Sequence, residues 1–343
     1  MAKTTLCLDI GSGTQDVLLH NPEINLENCP KFVLPSPALQ IGRRIAKLRD
    51  KGKNIWLHGS NMGGGVTRFV RAHQEAGLSV VSTRAAAYTM ADDLTRLTGS
   101  GIALSETCPD GYEPVLLTDF DETWWRNFFR AAELPWPDAV AACAQDHGFH
   151  PGKSNRIGRF KLWQSLLEEG EGRPESLVYD TPPAMLTRLA DLQRDIGGGM
   201  VADTGAAAVL GALFVNDIEA RSFDTGITLV NIGNSHLLAF LLFRGRIYGV
   251  YEQHTGCVDG AKLWADLESF RCGCLSFEQV FEERGHGSLC LDLPAEAEGF
   301  TPTYVLGPQR GMLEGYDVSF PAPGGDMMLA GCFGLIKGMS MRE

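Results

Sequence analysis

Apolar and polar residues alternate along the chain in the manner of short strands joined by tight turns. The clearest case is Leu8–Leu19, LDIGSGTQDVLL, where an apolar strand enters a glycine-containing polar turn and leaves it as a second apolar strand. Val230–Leu241, VNIGNSHLLAFL, has the same pattern, and Ile10 aligns there with Ile232, 222 residues later. This repeated β-turn-β unit predicts a duplicated lobe.

The stretch between the two units predicts a mixed α/β structure. Asn54–Leu57, Leu78–Ser82 and Pro114–Asp119 are short apolar runs typical of strands. Further along, Thr181 and the two prolines after it predict the start of a helix that ends at Gly197–Gly199. We therefore expect strands and helices to alternate.

Two predicted helices are rich in small residues. Thr204–Leu213 reads TGAAAVLGAL, and near the C-terminus Ala330, Gly331 and Gly334 lie on one helical face. Small residues let helix axes approach closely, so we expect the first of these helices to pack against another at short distance.

The composition is that of a globular protein, and the charge excludes some partners. The chain has 343 residues, of which 44% are hydrophobic, enough for a sizeable core in two domains or one two-lobed fold. A formal net charge of −12 would repel phosphate backbones and anionic headgroups, so we expect no nucleic-acid or membrane partner. No targeting signal is visible and nine cysteines are scattered, which predicts a cytoplasmic protein with reduced thiols.

Both turns have the composition of phosphate-binding turns. Backbone N–H groups of a tight glycine-rich turn converge on one point and can hold a phosphate. Asp9, at the end of the strand before the first turn, would face that point and hold Mg²⁺ through water. Two phosphate-binding turns and a metal ion together suit a triphosphate. Neither GxxxxGK[ST] nor a GxGxxG with a suitably spaced acid occurs in the sequence. The turn residues are Gly11, Ser12, Gly13 and Thr14 in the first and Gly233, Asn234 and Ser235 in the second.

Four segments, in this order along the chain, resemble the actin, heat-shock-ATPase and sugar-kinase superfamily: LDIGSGT, ADTGAAAVLGAL, VNIGNSH and APGGDMMLAG. The resemblance spans nearly the whole chain. It implies an α/β fold of two ribonuclease-H-like lobes with mixed sheets, an actin-like ATPase fold, with ATP and Mg²⁺ bound in the cleft between the lobes. It also implies an N-terminal lobe with insertions at residues 1–222 and a C-terminal lobe at residues 223–343.

The same resemblance implies roles for single residues. The two turns would bind the phosphates, and Gly324 and Gly325 would approach the adenosine. Asp203 stands where kinases of the superfamily have their base, just before the small-residue helix, and the N-cap of that helix is the alternative. The sequence departs from many members at Asn231, where they have aspartate, and at His236, where they have threonine or serine.

Three shorter segments resemble a narrower family: MGGG at Met62–Gly65, QDHG at Gln145–Gly148 and GDMMLAGCFGL near the C-terminus. That family carries the name of a pyruvate formate-lyase activating enzyme, which implies radical chemistry on a cluster held by CxxxCxxC. No CxxxCxxC occurs, and the closest cysteines are Cys272 and Cys274, so we exclude radical chemistry.

Three other places are candidates for substrate binding or catalysis. Gly63 and Gly64 belong to a polar glycine loop after a strand, which suits an anion or a substrate. Asp146 and His147 form either an acid–base pair or a hydrogen-bonded pair that ends a buried strand. Arg156 lies in a polar, cation-bearing loop that would bind a phosphate or a carboxylate.

A metal site near residue 280 is a further alternative. Cys272, Cys274, His286 and Cys290 offer four ligands within 19 residues. Their CxC spacing is not that of a zinc site, and isolated thiols are favoured.

Three functions are compatible with these residues. The first is an ATP- and Mg²⁺-dependent phosphotransferase acting on a small molecule, with Asp203 as base. The second is an ATPase switch whose closure activates or remodels a partner enzyme. The third is a protein that binds a nucleotide or a metabolite without catalysis.

Overall fold

Strands and helices alternate, as the sequence predicts, in a computed structural model that describes residues 3–151 and 154–342. The strands are β1 (Thr5–Ile10), β2 (Thr14–His20), β3 (Lys31–Pro35), β4 (Asn54–Gly59), β5 (Val80–Ser82), β6 (Ala103–Leu104), β7 (Tyr112–Leu117), β8 (Ala139–Ala144), β9 (Val178–Tyr179), β10 (Val201–Ala202), β11 (Ile227–Ile232), β12 (His236–Phe243), β13 (Arg246–His254), β14 (Gly287–Cys290) and β15 (Thr303–Leu306). The α-helices are α1 (Pro37–Asp50), α2 (Thr67–Glu75), α3 (Arg84–Ala87), α4 (Leu94–Gly99), α5 (Glu122–Ala131), α6 (Asn155–Glu168), α7 (Thr187–Asp195), α8 (Thr204–Leu213), α9 (Asn216–Asp224), α10 (Gly260–Arg271), α11 (Phe277–Glu282) and α12 (Ala330–Arg342). Within the described ranges, none of these helices is long and apolar enough to cross a membrane.

Two of the sheets share one arrangement of strands. In the first, with the order β3-β2-β1-β8-β10-β9, β1 lies antiparallel to β2 and parallel to β8. In the second, with the order β14-β13-β12-β11-β15, β11 lies antiparallel to β12 and parallel to β15. Three successive antiparallel strands with a later parallel strand beside the first of them form the ribonuclease-H-like plan. The predicted fold of two such lobes with mixed sheets is confirmed.

Some helices pack on the sheet that is more distant in sequence. Trp163 of α6 meets the ring of Phe240 on the second sheet, whereas Phe333 of α12 belongs to the core beneath the first sheet. Helix α8 contributes side chains to both cores. The division into residues 1–222 and 223–343, which would cut α9, stays a prediction.

A third sheet is inserted between β3 and β8. Its four strands are all parallel, in the order β6-β5-β4-β7. It has a core of its own, to which Ile45 of α1, Ile55 of β4 and Val70 of α2 belong. The three strands predicted for this stretch all occur here, but the sequence pattern does not indicate that they form a separate sheet.

Helices α8 and α12 are in backbone contact. A Cβ atom on Gly211 would overlap the carbonyl oxygen of Ala330, and one on Gly334 would overlap that of Ala207. Only glycine fits at these two positions, so the close packing predicted from the small residues is confirmed.

The helix expected to start at Thr181 starts only at Thr187, where α7 begins. The N–H of Leu186 donates to the carbonyl of Pro183 at 2.8 Å, which closes a turn before the helix. The predicted start was wrong because the two prolines shape that turn and not the first turn of the helix.

Candidate functional site

The turn between β1 and β2 and the turn between β11 and β12 are closed by the same hydrogen bond. In the first, the N–H of Gly11 donates to the carbonyl of Thr14 at 2.9 Å. In the second, the N–H of Gly233 donates to the carbonyl of His236, also at 2.9 Å. The repeat in the sequence is therefore a repeat of backbone structure.

The two turns touch each other. The hydroxyl oxygens of Ser12 and Ser235 lie 2.7 Å apart. In residues 3–151 and 154–342, the backbone N–H groups of Ser12, Gly13, Asn234 and Ser235 donate to no protein acceptor. Four N–H donors and two hydroxyls are thus gathered where an anion would meet both lobes.

A cleft of about 470 Å³ lies beside the turns. Its walls come from both turns, the end of β1, the loop after β8, the glycine loop before α2 and the start of α8. This volume is in the range of small-molecule sites. The residues predicted from the sequence that line it are Asp9, Gly11, Ser12, Thr14, Gly63, Gly64, Asp146, His147, Gly233, Asn234 and Ser235.

Asp9 and Asp16 present two neighbouring carboxylates to this cleft. They are cross-strand partners on β1 and β2, which places their side chains on one face of the sheet. Burial raises the pKa of Asp9 to about 6. Burial and the charge of Asp9 raise the pKa of Asp16 to about 8, and Asp16 Oδ1 has no hydrogen-bond partner in the described part of the chain. A cation that prefers carboxylate oxygens, such as Mg²⁺, fits this pair.

Asp203 is held in a buried ion-pair network and is not part of the cleft wall. Arg159 Nη1 and Nη2 donate to its two oxygens at 2.5 and 3.1 Å, and Arg159 Nε donates to Glu252 Oε2 at 3.1 Å. Asp203 Oδ1 also accepts the N–H of Gly205 at 2.7 Å and so caps α8. The N-cap alternative is confirmed, and the role of Asp203 as a base stays a prediction.

The side chains of Asp146 and His147 each have partners elsewhere. Asp146 accepts the N–H groups of Gly148 and Leu189 at 2.8 and 3.0 Å, and burial raises its pKa. His147 Nε2 lies 3.2 Å from Nε2 of His286. Both residues are thus hydrogen-bonded after β8, but to Gly148, Leu189 and His286 and, in the described residues, not to each other. An acid–base role for the pair stays a prediction.

Gly324 and Gly325, expected at the adenosine, lie beside the cleft. Their φ angles are 55° and 82°, in the left-handed region that favours glycine, and a Cβ on Gly324 would overlap the ring of Phe333. Met327 and Met328 line the cleft in their place. Contact of the glycine pair with adenosine stays a prediction.

Arg156, predicted to bind an anionic substrate, is bonded to the segment around α11. Its Nη1 donates to the carbonyls of Phe281 and Gly285 at 3.1 and 2.8 Å, and its guanidinium lies 3.9 Å from the Phe281 ring centre. Its role in substrate binding stays a prediction.

Among the residues that the structure describes, the arginine that lines the cleft is Arg188, on α7. Its Nε and Nη2 donate to Asp119 at 2.7 and 3.2 Å, and Asp119 Oδ1 accepts the N–H of Gly63 at 3.3 Å. The arginine and the glycine loop are therefore held by the same carboxylate. Sequence reasoning missed Arg188 because one arginine in a polar helix is usually a solvent-exposed residue.

A family model described as "Putative pyruvate format-lyase activating enzyme (DUF1786)" matches residues 62–312. This is the narrower family that the glycine and QDHG segments indicate. No protein among the curated ones matches the sequence.

Several solved structures are similar to the chain over most of its length. The ethanolamine utilization protein EutJ from Carboxydothermus hydrogenoformans is 11% identical with a TM-score of 0.31, over 98% of this chain and 89% of that one. The Lmo2764 protein from Listeria monocytogenes, titled "a putative N-acetylmannosamine kinase", is 9% identical with a TM-score of 0.36, over 99% of this chain and 100% of that one. The activator of the 2-hydroxyisocaproyl-CoA dehydratase from Clostridium difficile, with bound ADPNP, is 10% identical with a TM-score of 0.32, over 99% of this chain and 96% of that one.

Proposed function

The chain belongs to the family described as "Putative pyruvate format-lyase activating enzyme", and from its own residues we propose that it is an ATP- and Mg²⁺-dependent phosphotransferase acting on a small molecule. The family description offers no chemistry for this chain, because the cysteine pattern that a radical cluster needs does not occur in the sequence. The observation that carries the proposal is the contact of two identically bonded turns beside the paired carboxylates of Asp9 and Asp16.

The turns are the proposed phosphate site. Their four free N–H groups and the hydroxyls of Ser12 and Ser235 are all donors, and donors from both lobes would meet the same phosphate chain. A phosphate between the turns replaces the hydroxyl–hydroxyl bond with bonds to a charged acceptor, which are about twice as strong as neutral ones.

Asp9 and Asp16 are the proposed holders of Mg²⁺. Both carboxylates line the cleft next to the first turn, and their raised pKa values reflect a site in which negative charge is poorly compensated. When bound, Mg²⁺ supplies the neutralisation of phosphate charge that phosphoryl transfer needs. The sequence predicts Asp9 alone as the Mg²⁺ ligand, and the proposal adds its cross-strand partner Asp16.

The far part of the cleft is the proposed small-molecule site. It is lined by polar groups on the inserted sheet side and on α7, among them Asn61, Asp92 and Arg188, together with the glycine loop. A polar region beyond the phosphate site favours a phosphotransferase over a switch that binds nucleotide alone.

The proposed base is Asp203, and its ion pair sets a condition on that role. Arg159 occupies both oxygens of Asp203 and also contacts Glu252. Asp203 can accept a proton from a substrate hydroxyl only when Arg159 leaves at least one of these oxygens, and Glu252 is the carboxylate that would retain the arginine.

Nucleotide binding is tested by calorimetry and thermal unfolding with ATP, with and without Mg²⁺. We expect the wild type to be stabilised by about 2.7 kcal/mol at 100 times Kd. Asp9→Asn and Asp16→Asn should lose the Mg²⁺-dependent part, whereas Asp110→Asn, an exposed carboxylate of the insertion, should behave as the wild type. A wild type that binds no nucleotide contradicts the proposal.

Turnover distinguishes the phosphotransferase from the other two functions. ADP release is measured across a panel of small hydroxyl compounds, and one class of compound should accelerate it. Acceleration only by another protein would indicate a switch, and binding without ADP release would indicate a protein that binds without catalysis.

A further inference from the structure

A cluster of histidines lies at the wall of the cleft, apart from the two aspartates. It comprises His147 after β8, His236 at the start of β12, Glu252 near the end of β13 and His286 just before β14. One nitrogen or oxygen of each lies within 4.8 Å of those of the others. His147 and His236 also line the cleft, so the cluster is next to the second turn.

The spacing of the ring nitrogens is close to that of metal ligands. His147 Nε2 and His286 Nε2 are 3.2 Å apart. Two nitrogens bound to one tetrahedral zinc ion at about 2.0–2.1 Å would be about 3.3 Å apart. Since some atoms of the cluster are up to 4.8 Å apart, at least one side chain would move inward on binding.

The cluster has the charge that a divalent cation requires. Burial lowers the pKa of His236 and of His286 to about 4, so both rings are neutral at pH 7 and have a free lone pair. Arg159 and the histidines outweigh the effect of burial and lower the pKa of Glu252, which keeps that carboxylate ionised. His286 is only 2% exposed, and in the described ranges its Nδ1 has no hydrogen-bond partner.

Glu252 is fixed by bonds around its carboxylate. Oε1 accepts Gln145 Nε2 at 2.6 Å, and Oε2 accepts Arg159 Nε and Trp163 Nε1, each at 3.1 Å. Outer bonds of this kind orient the ligands of metal sites. The carboxylate thus has a set position beside the three imidazoles.

We propose that His147, His236, His286 and Glu252 bind a divalent transition-metal ion at the wall of the cleft, and we take Zn²⁺ as the test ion. Imidazole nitrogen suits zinc and its neighbours in the first transition row, whereas Mg²⁺ prefers oxygen ligands, so this site is chemically distinct from that of the two aspartates. A metal here would face the cleft and attract an anionic group of a bound molecule. The proposal does not depend on nucleotide binding.

The experiment measures the metal content of full-length protein that has been stripped with a chelator, loaded with Zn²⁺ and dialysed. We expect one equivalent in the wild type and at least about 10-fold weaker binding in His147→Asn, His236→Asn and His286→Asn. His58→Asn, a histidine on the inserted sheet, is the matched control and should keep the wild-type affinity. Circular dichroism checks that each variant is folded.

A second measurement does not depend on the variants. X-ray absorption of the Zn²⁺-loaded wild type reports the ligand atoms, and we expect imidazole nitrogen and carboxylate oxygen without sulfur. Sulfur ligands, with metal lost in Cys272→Ser/Cys274→Ser, would place the ion on the exposed cysteines and overturn the proposal. A wild type that retains no Zn²⁺ would also overturn the proposal, and the contact between His147 and His286 would then be only a hydrogen bond.

Discussion

Ser12 Oγ lies 2.7 Å from Ser235 Oγ, although the two serines are 223 positions apart in the chain. Ser12 is the second residue of the first turn and Ser235 is the third residue of the second turn, and both turns are closed by the same backbone bond. The contact therefore joins the two copies of a repeated unit. A phosphate that binds both turns must separate these hydroxyls. The contact therefore marks the place where the two lobes would respond to a ligand.

Removing either hydroxyl should weaken nucleotide binding without changing the fold. Hydrogen bonds to charged groups contribute about 1.5–3 kcal/mol, so Ser12→Ala and Ser235→Ala should each raise the Kd for Mg²⁺-ATP by roughly 10- to 100-fold. Calorimetry measures this. Ser340→Ala, on the exposed end of α12, is the control. Unchanged affinity in both turn variants would mean that the turns do not bind the phosphates.

The stability of the metal-free protein should fall as the pH rises. The folded-state pKa values of Asp9 and Asp16 are about 6 and about 8, above the usual value of 3.8. Between pH 3.8 and 8 the folded protein therefore binds more protons than the unfolded chain. The contribution of the two groups is therefore fully present below pH 3.8 and is lost as the pH rises through 6 and 8. Thermal unfolding across this range measures the loss.

Mg²⁺ should restore stability at the upper end of that range, because it compensates the charge that deprotonation creates. Asp16→Asn should flatten the pH dependence and reduce the effect of Mg²⁺. If the free energy of unfolding did not change between pH 4 and 8, the raised pKa values of Asp9 and Asp16 would be contradicted.

Asp203→Asn separates catalysis from structure. If Asp203 is the base, turnover should fall by about 10²–10⁴-fold with nucleotide affinity retained. Loss of its charge also leaves Arg159 with one carboxylate, and breaking a buried pair costs about 3–5 kcal/mol. Rates must therefore be normalised to folded protein, with the N-cap variant Asp259→Asn of α10 as control. If Asp203→Asn kept the wild-type turnover per folded molecule, Asp203 would not be the base and would only cap α8.

Gly331→Ala should destabilise the protein, although the same change normally stabilises a helix by about 1 kcal/mol. The new Cβ would overlap the carboxylate of Asp9, so α12 or the aspartate must move. We expect a lower unfolding midpoint in urea and weaker Mg²⁺ binding. Gly99→Ala on α4, where nothing lies within 4 Å of the added atom, should be neutral or stabilising. Equal effects of the two changes would be inconsistent with the packing described.

The repeat and the close helix pair could be predicted from the sequence because both depend on local composition. Glycine at the first position of each turn and small residues along α8 and α12 are readable without knowing what they contact. The start of α7 was predicted wrongly for a related reason: Pro182 and Pro183 suit a turn as well as the first turn of a helix.

The remaining features depend on contacts between distant segments. The inserted sheet consists only of parallel strand pairs, and these are not joined by the short turns from which a hairpin can be predicted. The histidine cluster joins residues from positions 147, 236, 252 and 286, and no spacing rule connects them. His286 could be considered only with the nearby cysteines, whereas the fold turns it towards His147 instead. The ion pair of Arg159 and Asp203 could not be predicted either, because the two residues are 44 positions apart.

The backbone contact between α8 and α12 has a mechanical consequence. Where Gly211 and Gly334 interlock with the facing carbonyls, there are no long side chains that could change rotamer to absorb a displacement. Because α8 also contributes to both cores, sliding or separating the pair would open a void next to each sheet. We therefore expect α8 and α12 to move as one rigid unit in any rearrangement of the cleft that a ligand causes.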